Sequence, residues 1–484
     1  MRTLEITAPA TEYVADDDIT AALELLYITQ KGLSAHLIDV ATQEGIVKLT
    51  GITDNLLARE RAEDIALALR GVRGVVNEIL ISTPDVPDAE LKASVVNALL
   101  DPVTRDYSIT VGAADGVIIL TGTVRTWAEK KLVLRVVRGV RRVRRLDAGD
   151  LFISWDETQD SDQEISTHIR ELLDWDIRVN AALVKVRTQN RTVYLSGTVG
   201  TAAERVHVEV MAYQAGAKHV DSSKLDVRYW AANHDLRGSK YAPRTDEAIA
   251  DAVRAAFRFD PRVLAYQPLI MVHNGIVTLS GTVSNLRAKL EAERDARHIV
   301  GVWDVLNLLK VRAPFFIPDL QIERAILEAL ARDPYVGLSG FSAYVRNGKA
   351  SLYGQVSSHF EQEQAGNVAA GVNGVAEVAN WVTVPDSPPF DTDHTDYTYS
   401  GNIPLSRPNS DFALAERVRS RLFWSATLHN QDIKVRVENG QAILTGRVDT
   451  WLDRAQAENA AYYAGARAVK DNLEVDLDDG GLYE

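Results

Sequence analysis

The stretch NGIVTLSGTVSN, residues 274–285, reads as a turn, a strand and the start of a helix. Asn274-Gly275 suits the left-handed backbone of a two-residue hairpin turn. Apolar residues then alternate up to Leu279, Gly281 closes the strand, and Asn285 is a good helix N-cap. The same grammar recurs five more times. A Leu-x-Gly step ends at Gly51, Gly122, Gly197, Gly281, Gly354 and Gly446. Turn pairs precede these glycines at Glu44-Gly45, Asp115-Gly116, Asn190-Arg191, Asn274-Gly275, Asn347-Gly348 and Asn439-Gly440. Four residues after each anchor glycine stand the caps Asn55, Thr126, Thr201, Asn285, Ser358 and Thr450.

Each cap predicts a helix. Glu129, Glu204 and Glu361, three residues past their caps, predict capping boxes, and Asp453 suits the helix dipole. The helices run to a second glycine at Gly71, Gly139, Gly216, Gly301, Gly374 or Gly465, followed by a last strand. The two glycines are 20, 17, 19, 20, 20 and 19 residues apart, so repeat two is expected to lack about one helical turn. Upstream of each hairpin lies an amphipathic helix, as in Ile249, Ala252, Val253, Ala256 and Phe257. The unit is helix–strand–strand–helix–strand. The chain is thus expected to be an α+β protein: a tandem array of six modules, each a three-stranded mixed sheet with two helices on one face. The six anchor glycines read as backbone punctuation rather than as chemistry.

Residues 275–311, GIVTLSGTVSNLRAKLEAERDARHIVGVWDVLNLLKV, resemble the BON family, the bacterial osmotic-shock and nodulation domain. The resemblance covers modules at 17–82, 88–154, 161–228, 245–312, 318–384 and 410–476, with a Pro- and Asp-rich linker at 385–409. Two departures stand out: Arg191 replaces the turn glycine in repeat three, and repeat two ends in Arg144 and Arg145 where Asn77, Asn307 and Asn380 mark the strand elsewhere. The resemblance implies contact with phospholipid membranes or partner proteins in envelope and osmotic-stress settings.

Composition narrows the classes. The chain has no cysteine, which removes disulfides, thiol nucleophiles and Cys-ligated zinc. Its net charge of −14 argues against a general nucleic-acid binder. No run of apolar residues is long enough to span a membrane, and the first 30 residues lack a basic n-region and an apolar h-region, so the cytoplasm is expected, with the periplasm or a membrane surface as the alternative. No HExxH, P-loop or GxSxG elbow occurs, the histidines are scattered, and His168 reads as a helix residue. Asp391, Asp393 and Asp396 in DTDHTD fail the calcium-loop pattern, so neither metal nor cofactor is expected. The GxxG steps at 71–74 and 371–374 lead into strands, unlike those of RNA-binding KH domains.

Two features remain. Residues 125–145 carry nine Lys or Arg against one acid. Lys130, Lys131, Arg135, Arg138, Arg141, Arg142, Arg144 and Arg145, with Trp127, are the candidate contact to an anionic phospholipid surface or an acidic partner, or else a helix face paired with acidic neighbours. Trp127 and Trp451 share one place, the first residue of a second helix, and Trp303 lies before a last strand. The leading expectation is a non-catalytic binding and assembly protein. The alternatives are a self-assembling homo-oligomer, such as a ring or pore-like scaffold without lipid, and a small-ion or ligand sensor.

Overall fold

The computed structural model describes residues 14–29, 37–100, 104, 107–154, 160–232, 244–264, 266–313, 315–384 and 411–475. The expected linker at 385–409 and its aspartates lie outside the described residues. The chain is α+β and is built from six like modules. Module 5 shows the plan: helix Asp319–Arg332, hairpin Phe341–Arg346 and Lys349–Gln355, helix His359–Ala370, strand Glu377–Thr383. The central strand pairs antiparallel with the first and parallel with the last, which makes the sheet mixed. Both helices pack on one face, and each module keeps its own apolar core; in module 5 this centres on Ile326, Leu330, Val345, Leu352 and Ala365. In modules 1 and 4 the last strand breaks after Asn77 and Asn307, whose amide nitrogens donate to the Arg59 and Lys289 carbonyls of the second helix at 3.0 and 2.8 Å.

The turns adopt the left-handed geometry read from their sequence. Asn274 has φ +50° and Gly275 φ +73°, and Arg191 takes the glycine place at φ +58°. A clamp the sequence did not suggest holds them. The first residue of the first helix accepts both turn N–H groups: Asp16 from Glu44 and Gly45 at 2.7 and 2.9 Å, and likewise Asp162, Asp246, Asp319 and Asp411. The acid sits 28 and 29 residues before its two donors in all five modules. In module 2 the first helix starts at Asp88, only 27 residues before Asp115, and this register forms no such clamp.

Two expectations need correction. All six caps bond the N–H three residues on, yet Glu129, Glu204 and Glu361 do not close capping boxes. Each reaches the N–H of the residue before the cap: Arg125 at 2.7 Å, Gly200 at 2.7 Å and Ser357 at 2.9 Å. The reciprocal capping box is instead at Ser161 and Glu164, on a first helix. Nor is the second helix of module 2 short: Trp127–Arg138 has 12 residues, as has Leu56–Leu67. Gly139 has φ −75°, and Arg142, with φ +71°, takes the left-handed place that Gly71 holds at φ +98° in module 1. The local motif matched the wrong glycine, because the terminating position in this module holds an arginine.

The anchor glycines behave as backbone. A Cβ on Gly122 would lie 2.0 Å from the Ser108 carbonyl oxygen of the neighbouring strand, an impossible contact. Gly281 shares the positive φ, at +122°, but no atom would come nearer than 3.9 Å.

The modules close on one another through their second helices. Leu56 of module 1 belongs to the core of module 2, Trp127 of module 2 stacks on Tyr213 of module 3, and Ala202 of module 3 belongs to the core of module 1. Modules 4, 5 and 6 form a second trio: Leu286 N–H donates to the Val375 carbonyl at 2.9 Å, helices His359–Ala370 and Trp451–Tyr463 touch, and Trp451 Nε1 donates to the Trp303 carbonyl at 2.8 Å. Each trio is a closed head-to-tail ring. The rings then pair in reverse order, module 1 with 6, 2 with 5 and 3 with 4.

Candidate functional site: module seams and outer sheet faces

The three pairings use one backbone device. The end of one module's second helix meets the end of the other's first helix. Arg70 N–H donates to the Trp424 carbonyl at 2.9 Å and Ala426 N–H returns to Ala68 at 3.0 Å. Val300 N–H donates to Trp175 at 3.0 Å and Ile177 N–H to His298 at 3.1 Å. Arg141 N–H donates to Arg332 at 2.9 Å. Helix ends carry unsatisfied N–H and C=O groups, and here each satisfies the other.

The basic segment of module 2 sits at the centre of these seams. Its cations are shared among neighbours rather than gathered on one outward patch. Lys130 Nζ donates to the Leu151 carbonyl of its own sheet at 2.6 Å. Lys131 lies 5.1 Å over the Trp127 ring and faces Glu60 and Asp64 of module 1. Arg138 pairs with Glu60 at 2.6 Å. Arg135 reaches Asp260, Arg262, Glu291 and Arg294 of module 4. Arg142 lies 3.9 Å from Glu90. Arg144 donates to the Thr83 carbonyl at 2.7 Å and pairs with Asp85. Arg145 stays exposed at the start of strand Arg145–Asp147. The Trp127 ring stacks parallel on Tyr213, with centroids 5.7 Å apart. Charge that is contiguous in sequence is divided in space because several modules converge on this helix.

A second charged cluster escaped the sequence reading. Asp176, buried at the seam of modules 3 and 4, pairs with Arg178 and receives His207 Nε2 at 3.0 Å. Burial alone would push its carboxyl up, but Arg178 and His207 outweigh burial and hold it well below the usual range. Next to it, Asp260, Glu291 and Asp295 bring carboxylate oxygens within 4.8 Å of one another. Guanidinium groups take the place a cation would need: Arg262 donates to Asp260 at 2.9 and 2.6 Å and to Glu291 at 2.7 Å, and Arg287 and Arg294 also pair with Glu291. Burial, helped by Asp260, pushes the Asp295 carboxyl up to about 7. Burial, helped by Arg178, pushes the His298 imidazole down to about 3. The legible signal was an Asp-x-Arg step just past the first helix, at Asp176-Ile177-Arg178 and Asp260-Pro261-Arg262.

With the helices turned inward, one face of each sheet is left outward, and these faces differ. Module 5 aligns Ser342, Tyr353 and Trp381 across its three strands, with Tyr344 in the next row. Tyr344, Tyr353 and Trp381 are 64%, 48% and 62% exposed. Module 4 exposes Leu269, Met271, Leu306 and Leu308. Modules 3 and 6 present charge instead, such as Lys185 and Lys224 beside Ser196, or the row Asp432, Arg447 and Glu474. Among the described residues no helix is long and apolar enough to cross a membrane.

Known proteins share parts of this chain. An outer membrane lipoprotein, DolP of Haemophilus influenzae, is 29% identical over 154 residues, which is 32% of this chain and 72% of DolP. The 21 kDa hemolysin of Actinobacillus pleuropneumoniae is 29% identical over 130 residues, 27% of this chain and 57% of the hemolysin. The osmotically-inducible protein Y of Escherichia coli is 23% identical over 146 residues, 27% of this chain and 71% of that protein. The C-terminal domain of CdsD, a structural protein of the type III secretion system of Chlamydia trachomatis, is 16% identical over 44% of this chain and 93% of its own, with a TM-score of 0.13 that carries no argument about arrangement. The BON domain pattern itself matches six times, at residues 15–83, 87–148, 161–229, 245–313, 318–386 and 410–476. With most of its length in these six matches, the chain belongs to the BON domain family.

Proposed function

We propose that this protein is a non-catalytic binding and assembly scaffold of the bacterial envelope, which engages a phospholipid surface or a protein partner through the outer sheet faces of modules 4 and 5. The observation that carries the reading is the exposed apolar and aromatic surface of those two neighbouring modules, against the charged faces of modules 3 and 6. Exposed apolar patches of this kind mark contact sites, and Tyr and Trp suit interfaces that are apolar on one side and wet on the other. The N-terminal sequence argued for the cytoplasm. The relatives give that expectation no support, and the one named for the outer membrane favours the alternative, an envelope location.

Vesicle flotation and light scattering on the full chain test this reading. Substituting Met271→Ser with Leu306→Ser, or Tyr353→Ser with Trp381→Ser, is expected to abolish flotation while the fold persists. Undiminished flotation of both double variants would overturn it. A parent that forms a defined oligomer without lipid, and loses it in the same variants, would select self-association through these faces.

A further inference from the structure

We infer that Arg135, Arg287 and Arg294 form a binding site for a small oxyanion of the phosphate class, at the junction of modules 2 and 4. Glu291 is the centre of the cluster. Arg262, Arg287 and Arg294 all pair with this one carboxylate, and Arg262 is also committed to Asp260. Arg135 arrives from module 2, and its guanidinium has no ion pair or hydrogen bond among the described residues. Like charges this close repel unless something negative joins them.

Among the described residues no carboxylate pairs directly with the Arg135 guanidinium. Lys131, Arg135, Arg262, Arg287 and Arg294 face Glu60, Asp64, Asp260, Glu291, Asp295 and Asp333. Burial pushes Asp64 up to about 6 and Asp295 up to about 7, so Asp295 is only partly ionised near neutrality. The site is also open. Arg287 and Arg294 are 45% and 55% exposed and Arg135 is exposed too, although other modules crowd around it. Guanidinium forks held by two modules match the oxygens of a phosphate group. The fold does not require this charge. Arg135 and Arg294 stand nine residues past their caps, where modules 3, 5 and 6 have Val210, Asn367 and Asn459. The site lies at a seam, apart from the outer sheet faces, and does not depend on the function proposed for them.

The test is thermal melting and calorimetric titration of the full chain with inorganic phosphate, against chloride at matched ionic strength. Phosphate is expected to raise Tm in the parent and in the charge control Arg145→Gln, and to bind Arg135→Gln at least about tenfold more weakly. In phosphate-free buffer Arg135→Gln is expected to melt no lower than the parent, because it removes an unpaired charge. Vesicles containing phosphatidylglycerol form the second arm. Binding that needs Arg135 but occurs only with vesicles keeps the site and assigns its anion to a lipid headgroup. An Arg135→Gln protein that responds to phosphate like the parent, a parent that responds to neither phosphate nor vesicles, or a phosphate-free Arg135→Gln that melts lower, would each overturn the inference.

Discussion

The seam between modules 3 and 4 and the seam between modules 1 and 6 share a backbone and differ in chemistry. In both, a helix end trades two N–H···O=C bonds with another helix end, and one residue forms an isolated bridge: Asp176 opposite Ile299 in the first, Ser425 opposite Leu69 in the second. Around Asp176 lie Arg178, His207, His298 and Asp295. Around the other seam lie rings: Arg70 sits 5.1 Å over Phe423, and Arg61 sits 5.6 Å from Tyr463 and 3.4 Å over Phe360 of the adjoining module 5. The fold therefore fixes how modules meet, and side chains decide what the meeting responds to. A seam of buried ions answers to pH. A seam of arginines on aromatic faces rests on apolar and cation–π contact.

The largest expected effect is Asp176→Ala. It strands the Arg178 guanidinium at a desolvated seam, and removing one partner of a buried ion pair costs about 3–5 kcal/mol. Ser425→Ala at the equivalent place leaves no buried charge and is expected to cost well under 1 kcal/mol or so. Denaturant melts of the two variants check this; equal losses would mean that the bridge itself, not its charge, holds the seam.

Next comes Phe360→Ala, which removes the ring under Arg61 and a T-shaped contact with Tyr335. Loss of the apolar ring and of the cation–π contact should cost about 2–4 kcal/mol. Denaturant melts of Phe360→Ala check this; a loss under about 1 kcal/mol would show that the ring contributes little to this contact.

The pH dependence separates the seams further. Asp295 has a raised folded pKa, so its contribution to stability is fully present below the unfolded carboxylate value near 4 and is lost as pH rises through about 7. His298 has a depressed folded pKa, so its contribution is present above the unfolded imidazole value near 6.5 and is lost as pH falls toward about 3. Asp295→Asn should therefore match the parent near pH 4 and exceed it increasingly up to about pH 7. Hydrogen exchange at the Ile177 and Val300 amides, which cross this seam, is the local readout. A parent whose exchange at these amides is pH-independent after correction for intrinsic rates would refute it.

The smallest effect expected is a gain at the third seam. Arg142 holds a left-handed φ of +71° where other modules have glycine, and its pairing with Glu90 is loose at 3.9 Å. Arg142→Gly should stabilise module 2 by about 1 kcal/mol. A loss of that size in a thermal melt would show that Arg142 contributes more through contacts than its backbone costs.

The sequence alone determined the module. Turn pairs, caps, anchor glycines and apolar periodicity act over a few residues, and six repetitions of one local grammar leave little ambiguity. Even there, the 28-residue reach of Asp16 or Asp246 to a turn was invisible, because no local rule links a helix start to a distant hairpin. The misread helix end in module 2 has the opposite cause: Arg142 took a glycine's conformation, and Gly139 nearby offered a false match. Tertiary structure alone decided what the charged and aromatic residues do. Trp127, Lys131, Arg135 and Arg138 read as one basic surface on their helix, and the meeting of modules 1, 2, 3 and 4 turns them toward separate neighbours. Trp451 likewise became a donor to module 4, and exposed apolar side chains were left on the sheets of modules 1, 4 and 5. The pattern of a helix states which residues share a face. Which neighbour covers that face depends on how separate modules pack, and that is set by contacts hundreds of residues apart in the chain.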